Sequence, residues 1–195
     1  MTTPRKLILD VGGVLIDHDN ALLERRLVDL FGGAVTPDRL MSAFRESGVG
    51  AGRMPAERVY LDLAARLGAP ADVARFLALW SSHFTPKPDM LDFLAERGAR
   101  QPIVLCSNTN AAHWDFIERH FALSRRVAAA VLSHECGYEK PDAEIYALAV
   151  AAHDAAPEDC LFVDDRAEFV EAARAAGLRG HVFTNRAGLE AALAD

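Results

Sequence analysis

Residues 6–17 read KLILDVGGVLID, a short unbroken apolar run that stops at Asp10 and opens into the pair Gly12-Gly13. A run without polar alternation is the pattern of a strand buried on both faces of a parallel sheet. An acid at the end of such a strand falls at the carboxyl edge of the sheet, where open α/β folds bind ligands. Four further runs share the pattern: 102–106 (PIVLC), 128–132 (AAAVL), 160–163 (CLFV) and 180–184 (GHVFT). The alanines of 128–132 suit a helix equally well. Helical patterns separate the later runs, at 110–121, at 141–153 with proline at its start, and at 166–176 stopping at Gly177. This alternation predicts an α/β fold, a doubly wound parallel five-stranded Rossmann-like sheet.

Between the first two runs there is no strand pattern. Residues 20–31, 37–46, 55–67, 71–84 and 89–96 read as amphipathic helices, broken by Gly32-Gly33, 48–52, 68–70 and 86–88. A single crossover needs one helix, so the rest predict an inserted helical cap at 18–86, on a core made of 1–17 and 87–195. The glycine-rich segment 46–53 (ESGVGAGR) is a candidate hinge or substrate loop, with Arg45 and Arg53 as candidate contacts.

The net charge of −7 sets up a field that repels nucleic acid and anionic membrane surfaces. No apolar run approaches the roughly 20 residues of a membrane helix, and the N-terminal run is broken by Asp10 too early for a signal peptide. Cys106, Cys136 and Cys160 fit neither a disulfide framework nor a zinc site. Free thiols in the cytoplasm are expected, in a monomer or homodimer whose partner is a small molecule.

Each strand end delivers polar groups to one rim: Asp10, Ser107-Asn108, Lys140 after the third run, and Asp164-Asp165. Three carboxylates together repel one another unless a cation intervenes. Mg2+ suits one or two carboxylates, a carbonyl, waters and a phosphate oxygen. Asp10 is then the candidate nucleophile on phosphorus. Ser107 and the backbone N–H groups beside it, at Asn108, form a candidate phosphate cradle. Lys140 supplies a fixed positive charge to nucleophile and phosphoryl group alike.

The segments LILDVGGVLID (7–17), VLCSNTN (104–110), GYEKPDAEIY (137–146) and LFVDDRAEFVEAARAAG (161–177) together resemble the haloacid dehalogenase superfamily, in its phosphatase-like branch with a helical cap. Within that branch the look is of sugar-phosphate phosphatases. The resemblance implies an Asp10 nucleophile and phosphate contacts at Ser107 and Lys140. It also implies Mg2+ held by Asp10, Asp164, Asp165 and the Gly12 carbonyl, and hydrolysis of a small phosphorylated metabolite.

Two positions depart from that family's pattern. Its phosphatases usually carry a second Asp two residues after the nucleophile as general acid and base, where this chain has Gly12. Such catalysis contributes about 10²–10⁴-fold, so Asp17, His18 and Asp19 are candidate stand-ins. Phe169 occupies a position that commonly supports the metal, leaving Glu168 as a possible substitute. Two other functions compete. Metal-independent 2-haloacid dehalogenation would use Asp10 with Lys140 and Tyr146 at that branch's spacing, and a non-catalytic binding or regulatory protein would keep only the fold.

Overall fold

The computed structural model describes residues 6–194. The chain begins with β1 (Lys6–Leu9) and β2 (Ile16–His18), then runs through α1 (Asn20–Leu30), α2 (Pro37–Glu46), α3 (Ala56–Leu67) and α4 (Val73–Trp80). After β3 (Phe84–Pro86) come α5 (Pro88–Gly98), β4 (Ile103–Ser107), α6 (Ala111–Phe121), β5 (Ala129–Leu132) and α7 (Ser133–Cys136). The last elements are α8 (Ala143–Ala151), β6 (Cys160–Asp164), α9 (Ala167–Ala175), β7 (Arg179–Val182) and α10 (Arg186–Ala194).

Five strands form one sheet in the order β5-β4-β1-β6-β7, and every pair is parallel. The two-residue period of a strand divides its side chains between two cores. Leu7, Leu9, Ile103, Leu105, Leu161 and Val163 face one cluster, with Met90 and Phe93 of α5, Ile117 of α6 and Leu189 of α10. Ile8, Val104, Cys106 and Phe162 face the other, with Ile145 and Tyr146 of α8 and Val170 and Ala173 of α9. Helices therefore cover both faces, which is why β4 and β6 are buried at every residue and read as continuous apolar runs. The ambiguous alanine run is a strand: Ala129, Ala130 and Val131 pair with Val104, Leu105 and Cys106.

Helices α1 to α4 carry a separate apolar cluster that includes Leu27, Leu40, Phe44, Tyr60, Phe76 and Trp80. Its aromatics stack in series, Tyr60 on Phe76 at 4.6 Å between ring centres and Phe44 against Trp80 at 4.5 Å. The helix expected over 71–84 is shorter, ending at Trp80. Ser82 donates both its N–H (3.0 Å) and its hydroxyl (2.7 Å) back to the Leu79 carbonyl, which closes the helix. The chain then enters β3, which pairs antiparallel with β2: Ile16 with Pro86, Asp17 with Thr85, His18 with Phe84. Both crossings between the sheet and the helical insertion therefore run side by side. The expected boundaries at 17/18 and 86/87 cut through or beside this ribbon.

Candidate functional site

Strand β1 is the centre of the sheet, and the chain proceeds to β4 and β5 on one side and to β6 and β7 on the other. The crevice at its carboxyl end is the switch point where ligands bind in such folds. Asp10 follows β1 directly, with Ser107 closing β4 and Asp164 closing β6 on either side. All three are buried, Asp164 completely.

Lys140 is the keystone. Its side chain is 1% exposed, and its Nζ lies 2.8 Å from Asp10 Oδ1 and 2.6 Å from Asp164 Oδ2. The ammonium also sits over the rings of Phe169 and Phe162, 5.1 and 5.7 Å from their centres. Asn108 holds the lysine in place: it donates to the Lys140 carbonyl (2.9 Å) and accepts from the Lys140 N–H (2.7 Å). This pair of hydrogen bonds ties the two loops together through the Asn108 side chain. Asp10 Oδ1 accepts a further bond from the Val11 N–H (2.7 Å), and Asp164 Oδ1 accepts from the Arg166 N–H (2.9 Å).

One carboxylate remains. Asp10, Asp164 and Asp165 bring ligand oxygens within 4.8 Å of one another, and a single lysine cannot neutralise three acids. Burial pushes Asp10 up to about 7, with Lys140 pulling it down and Asp164 adding to the rise. Burial, with help from Asp164, also raises Asp165. Burial works against the Lys140 ammonium, but Asp10 and Asp164 outweigh it and move its pKa above the ordinary lysine value. An uncompensated cluster of this kind has the donor set of a hard divalent cation. Gly13 makes room for it: its φ is +76°, and a Cβ there would overlap the Asp165 carboxylate.

The three candidate replacements for the missing acid separate cleanly. Asp17 is paired with Lys87 at 2.9 Å, and the same lysine donates to the Gly13 carbonyl at 2.7 Å. Asp19 caps α1, accepting from the Leu22 N–H at 2.8 Å. His18 is the one that reaches the site. A Cβ built on Gly12 would stand 3.0 Å from its Cδ2 and 3.3 Å from its Nε2, so the imidazole occupies the space a longer side chain at residue 12 would take. Glu168 pairs with Arg166 on the surface and does not support the acidic cluster. Phe169 packs helix onto sheet, 6% exposed, with its ring beneath Lys140 and Arg166.

Other sequence candidates lie elsewhere. Tyr146 is fully buried, donates to the Phe169 carbonyl (2.9 Å) and packs edge-on against Phe162. It lines no part of the pocket over Asp10. Arg45 bonds to Ser42 on the surface, and Arg53 folds over Gly48. The loop at 48–52 touches the core rather than the pocket: the Gly50 carbonyl accepts from Ser133 Oγ at 2.6 Å. Trp114, on α6, packs on the core cluster.

Over the rim lies a pocket of about 240 Å³. Asp10, Ser107, Lys140 and Asp165 form its floor, and His18, His83 and His113 face them from the ribbon and α6. His113 Nε2 donates to the Trp80 carbonyl at 3.0 Å, and its ring stacks on Trp80. Burial pushes His113 down to about 3, assisted by His83, and pushes His83 down to about 4, assisted by His18. Both rings are neutral at physiological pH. His83 carries no signal in the sequence, because only the pairing of β2 with β3 brings it over Asp10.

A family model for haloacid dehalogenase-like hydrolases matches residues 7–177. A sesquiterpene phosphatase, astK of Aspergillus oryzae, is 27% identical over 186 residues, covering 92% of this chain and 89% of its own. A D-ribitol-5-phosphate phosphatase of Bacteroides thetaiotaomicron is 23% identical, covering 83% and 82%. Among solved structures, a haloacid dehalogenase family enzyme of Bacteroides thetaiotaomicron, in complex with magnesium and inorganic phosphate, superposes with a TM-score of 0.81 at 20% identity, over 93% of this chain and 95% of that one.

Proposed function

Because the chain belongs to the haloacid dehalogenase-like hydrolases, we propose that it is a magnesium-dependent phosphatase acting on a small phosphate monoester through an aspartyl-phosphate on Asp10. The observation that carries this reading is Lys140 wedged between Asp10 and Asp164 while Asp165 adds a third, uncompensated carboxylate. Two curated relatives with phosphatase names support the same chemistry.

Asp10, Asp164, Asp165 and the Gly12 carbonyl would hold the ion. When bound, Mg2+ supplies charge neutralisation for the phosphoryl oxygens. The chain's own residues do the rest. The Asp10 carboxylate attacks phosphorus, the bond from phosphorus to the alcohol oxygen breaks, and the phosphoryl group moves to Asp10. Lys140 favours the ionised form of Asp10 and offsets charge on the transferring group. Ser107 and the Asn108 N–H cradle its oxygens. His18, beside the vacant Gly12 position, hands a proton to the departing alcohol and takes one from the water that then cleaves the aspartyl-phosphate. Phosphate leaves, and the Asp10 carboxylate is restored. Residues 18–86 form the cap that covers this reaction.

The test is a panel of phosphorylated metabolites assayed with Mg2+ and with EDTA, using Asp10→Asn as the blank. Turnover that needs Mg2+ and disappears in Asp10→Asn is expected. Hydrolysis of a 2-haloacid that survives EDTA would replace this reading with dehalogenation. Absence of any turnover, with no trapping of Asp10 by beryllium fluoride, would leave a binding protein.

A further inference from the structure

Ser133 opens α7, is completely buried, and lines no part of the pocket over Asp10. Its hydroxyl nevertheless joins the core loop that follows β4 to the glycine-rich loop that follows α2 in the helical insertion. It accepts from the Thr109 N–H at 2.9 Å, and its own proton faces two carbonyls, Gly50 at 2.6 Å and Thr109 at 3.0 Å. A hydroxyl has one proton to give, so it serves one carbonyl at a time, and the shorter contact assigns it to Gly50. The Thr109 carbonyl is the alternative within reach. Lifting the loop 48–52 therefore strands no buried donor on the core side, and the contact can open and close.

The rest of that contact is built for close approach. A Cβ on Gly52, at φ +69°, would overlap the His134 carbonyl, and a Cβ on Gly50 would overlap the Glu139 carboxylate. The loop thus lies against the segment that runs from Ser133 towards Lys140. Thr109 lines the pocket over Asp10, and its neighbour Asn108 is bonded to the Lys140 backbone at 2.7 and 2.9 Å. A continuous path leads from Gly50 through the Ser133 hydroxyl and the Thr109 backbone to the phosphate cradle.

We propose that Ser133 is a positioning residue whose hydroxyl couples docking of the loop 48–52 to the placement of the 107–109 backbone, so that a phosphoryl group binds more tightly when the loop is docked and steadies the loop in return. This rests on the phosphatase reading of the same site and adds to it a link between the helical insertion and the cradle.

The experiment follows hydrogen exchange at the Ala51, Gly52 and Arg53 amides of the full chain in Mg2+, with and without inorganic phosphate. Those amides bond to the Gly48 and Val49 carbonyls, so their exchange reads opening of the loop. In the unaltered protein phosphate should slow it by about three- to ten-fold, the worth of one hydrogen bond. Ser133→Ala should abolish that slowing and weaken phosphate binding by a similar factor, as linkage requires. Its dissociation constant for Mg2+ alone should stay within about two-fold, because the three acids sit on other segments. With p-nitrophenyl phosphate the loss should fall mainly on KM. Gly52→Ala, which pushes the loop off the His134 carbonyl from the other side, should weaken phosphate in the same way although residue 52 lines no part of the pocket over Asp10. Exchange at 51–53 that ignores phosphate in the unaltered protein overturns the proposal whether or not the variants fold. So does phosphate protection that survives in Ser133→Ala, a parallel loss of Mg2+ and phosphate affinity there, or unaltered phosphate binding in Gly52→Ala. Turnover of p-nitrophenyl phosphate in those cases leaves the phosphatase reading standing, whereas a protein that neither hydrolyses a phosphate ester nor binds phosphate removes both.

Discussion

Replacing Lys140 by Met removes the one positive charge from the centre of the site while keeping most of its volume. In the native protein Nζ touches Asp10 and Asp164 at 2.8 and 2.6 Å, and neither carboxylate has more than 9% side-chain exposure. Breaking a buried ion pair from one side costs about 3–5 kcal/mol, because the orphaned charge stays behind. Against a total stability of about 5–15 kcal/mol, that is a large fraction. Asp10, which burial already pushes up to about 7 against an unfolded value near 3.8, responds by holding its proton to still higher pH. Folded carboxylates then bind protons that the unfolded chain releases, and stability is present at low pH and lost as pH rises through the folded values. Urea unfolding between about pH 7 and pH 9 reads this directly: Lys140→Met should lose stability over that range relative to the native protein, whose own Asp10 releases its proton at about 7. Magnesium should return part of the loss, about 2.7 kcal/mol at a hundred times its dissociation constant. Phosphatase turnover should fall by about 10²–10³-fold with it. A variant within about 0.5 kcal/mol of the native protein at pH 8, with no pH slope of its own, would refute the reasoning.

Other outcomes follow from the same geometry. Gly13→Ala meets both a φ of +76° and the Asp165 carboxylate, so melting should show a loss of about 1–3 kcal/mol together with weaker Mg2+ binding; Gly32→Ala, at φ +60° with open space around it, should show strain alone and unaltered Mg2+ affinity. His18→Gln should slow alkyl phosphate hydrolysis by about 10²-fold while p-nitrophenyl phosphate, whose leaving group needs no proton, slows far less; equal loss on both would remove His18 as proton donor. His113, pushed down to about 3 by burial, is neutral when folded, and the unfolded chain binds the extra proton as pH falls below about 6.5. Its share of stability is therefore lost on acidification through that window. In urea titrations, His113→Gln should lose about 2–4 kcal/mol less than the native protein between pH 7 and pH 4.

The core of this fold was legible because its strands are buried on both faces. Burial turns 6–9, 103–107 and 160–164 into apolar blocks that end abruptly in Asp10, Ser107 and Asp164, and an acid closing such a block has few structural reasons to be there. The ribbon was not legible. Its strands have three residues each, with Asp17, His18 and Thr85 exposed, so neither alternation nor apolarity marks them, and the helical pattern of α4 continues in the sequence into β3. His83 was hidden for the same reason. Asn108 lines the pocket over Asp10, but the bonds it makes to the Lys140 backbone depend on two loops meeting, which spacing along the chain does not reveal. Arg45 and Arg53 carry charge in or beside a glycine-rich stretch, but Arg45 bonds to Ser42 within α2 and Arg53 folds over Gly48.

The pairing of β2 with β3 makes the stem of the insertion a stiff double neck instead of two independent tethers. A tilt of the bundle above it swings His18 and His83 together, since His18 pairs with Phe84 and the Asp19 N–H donates to the His83 carbonyl at 3.1 Å. The two imidazoles thus travel as one body above the anionic floor. A change of cargo can be engineered by re-sculpting the bundle while the lysine and its acids are left alone.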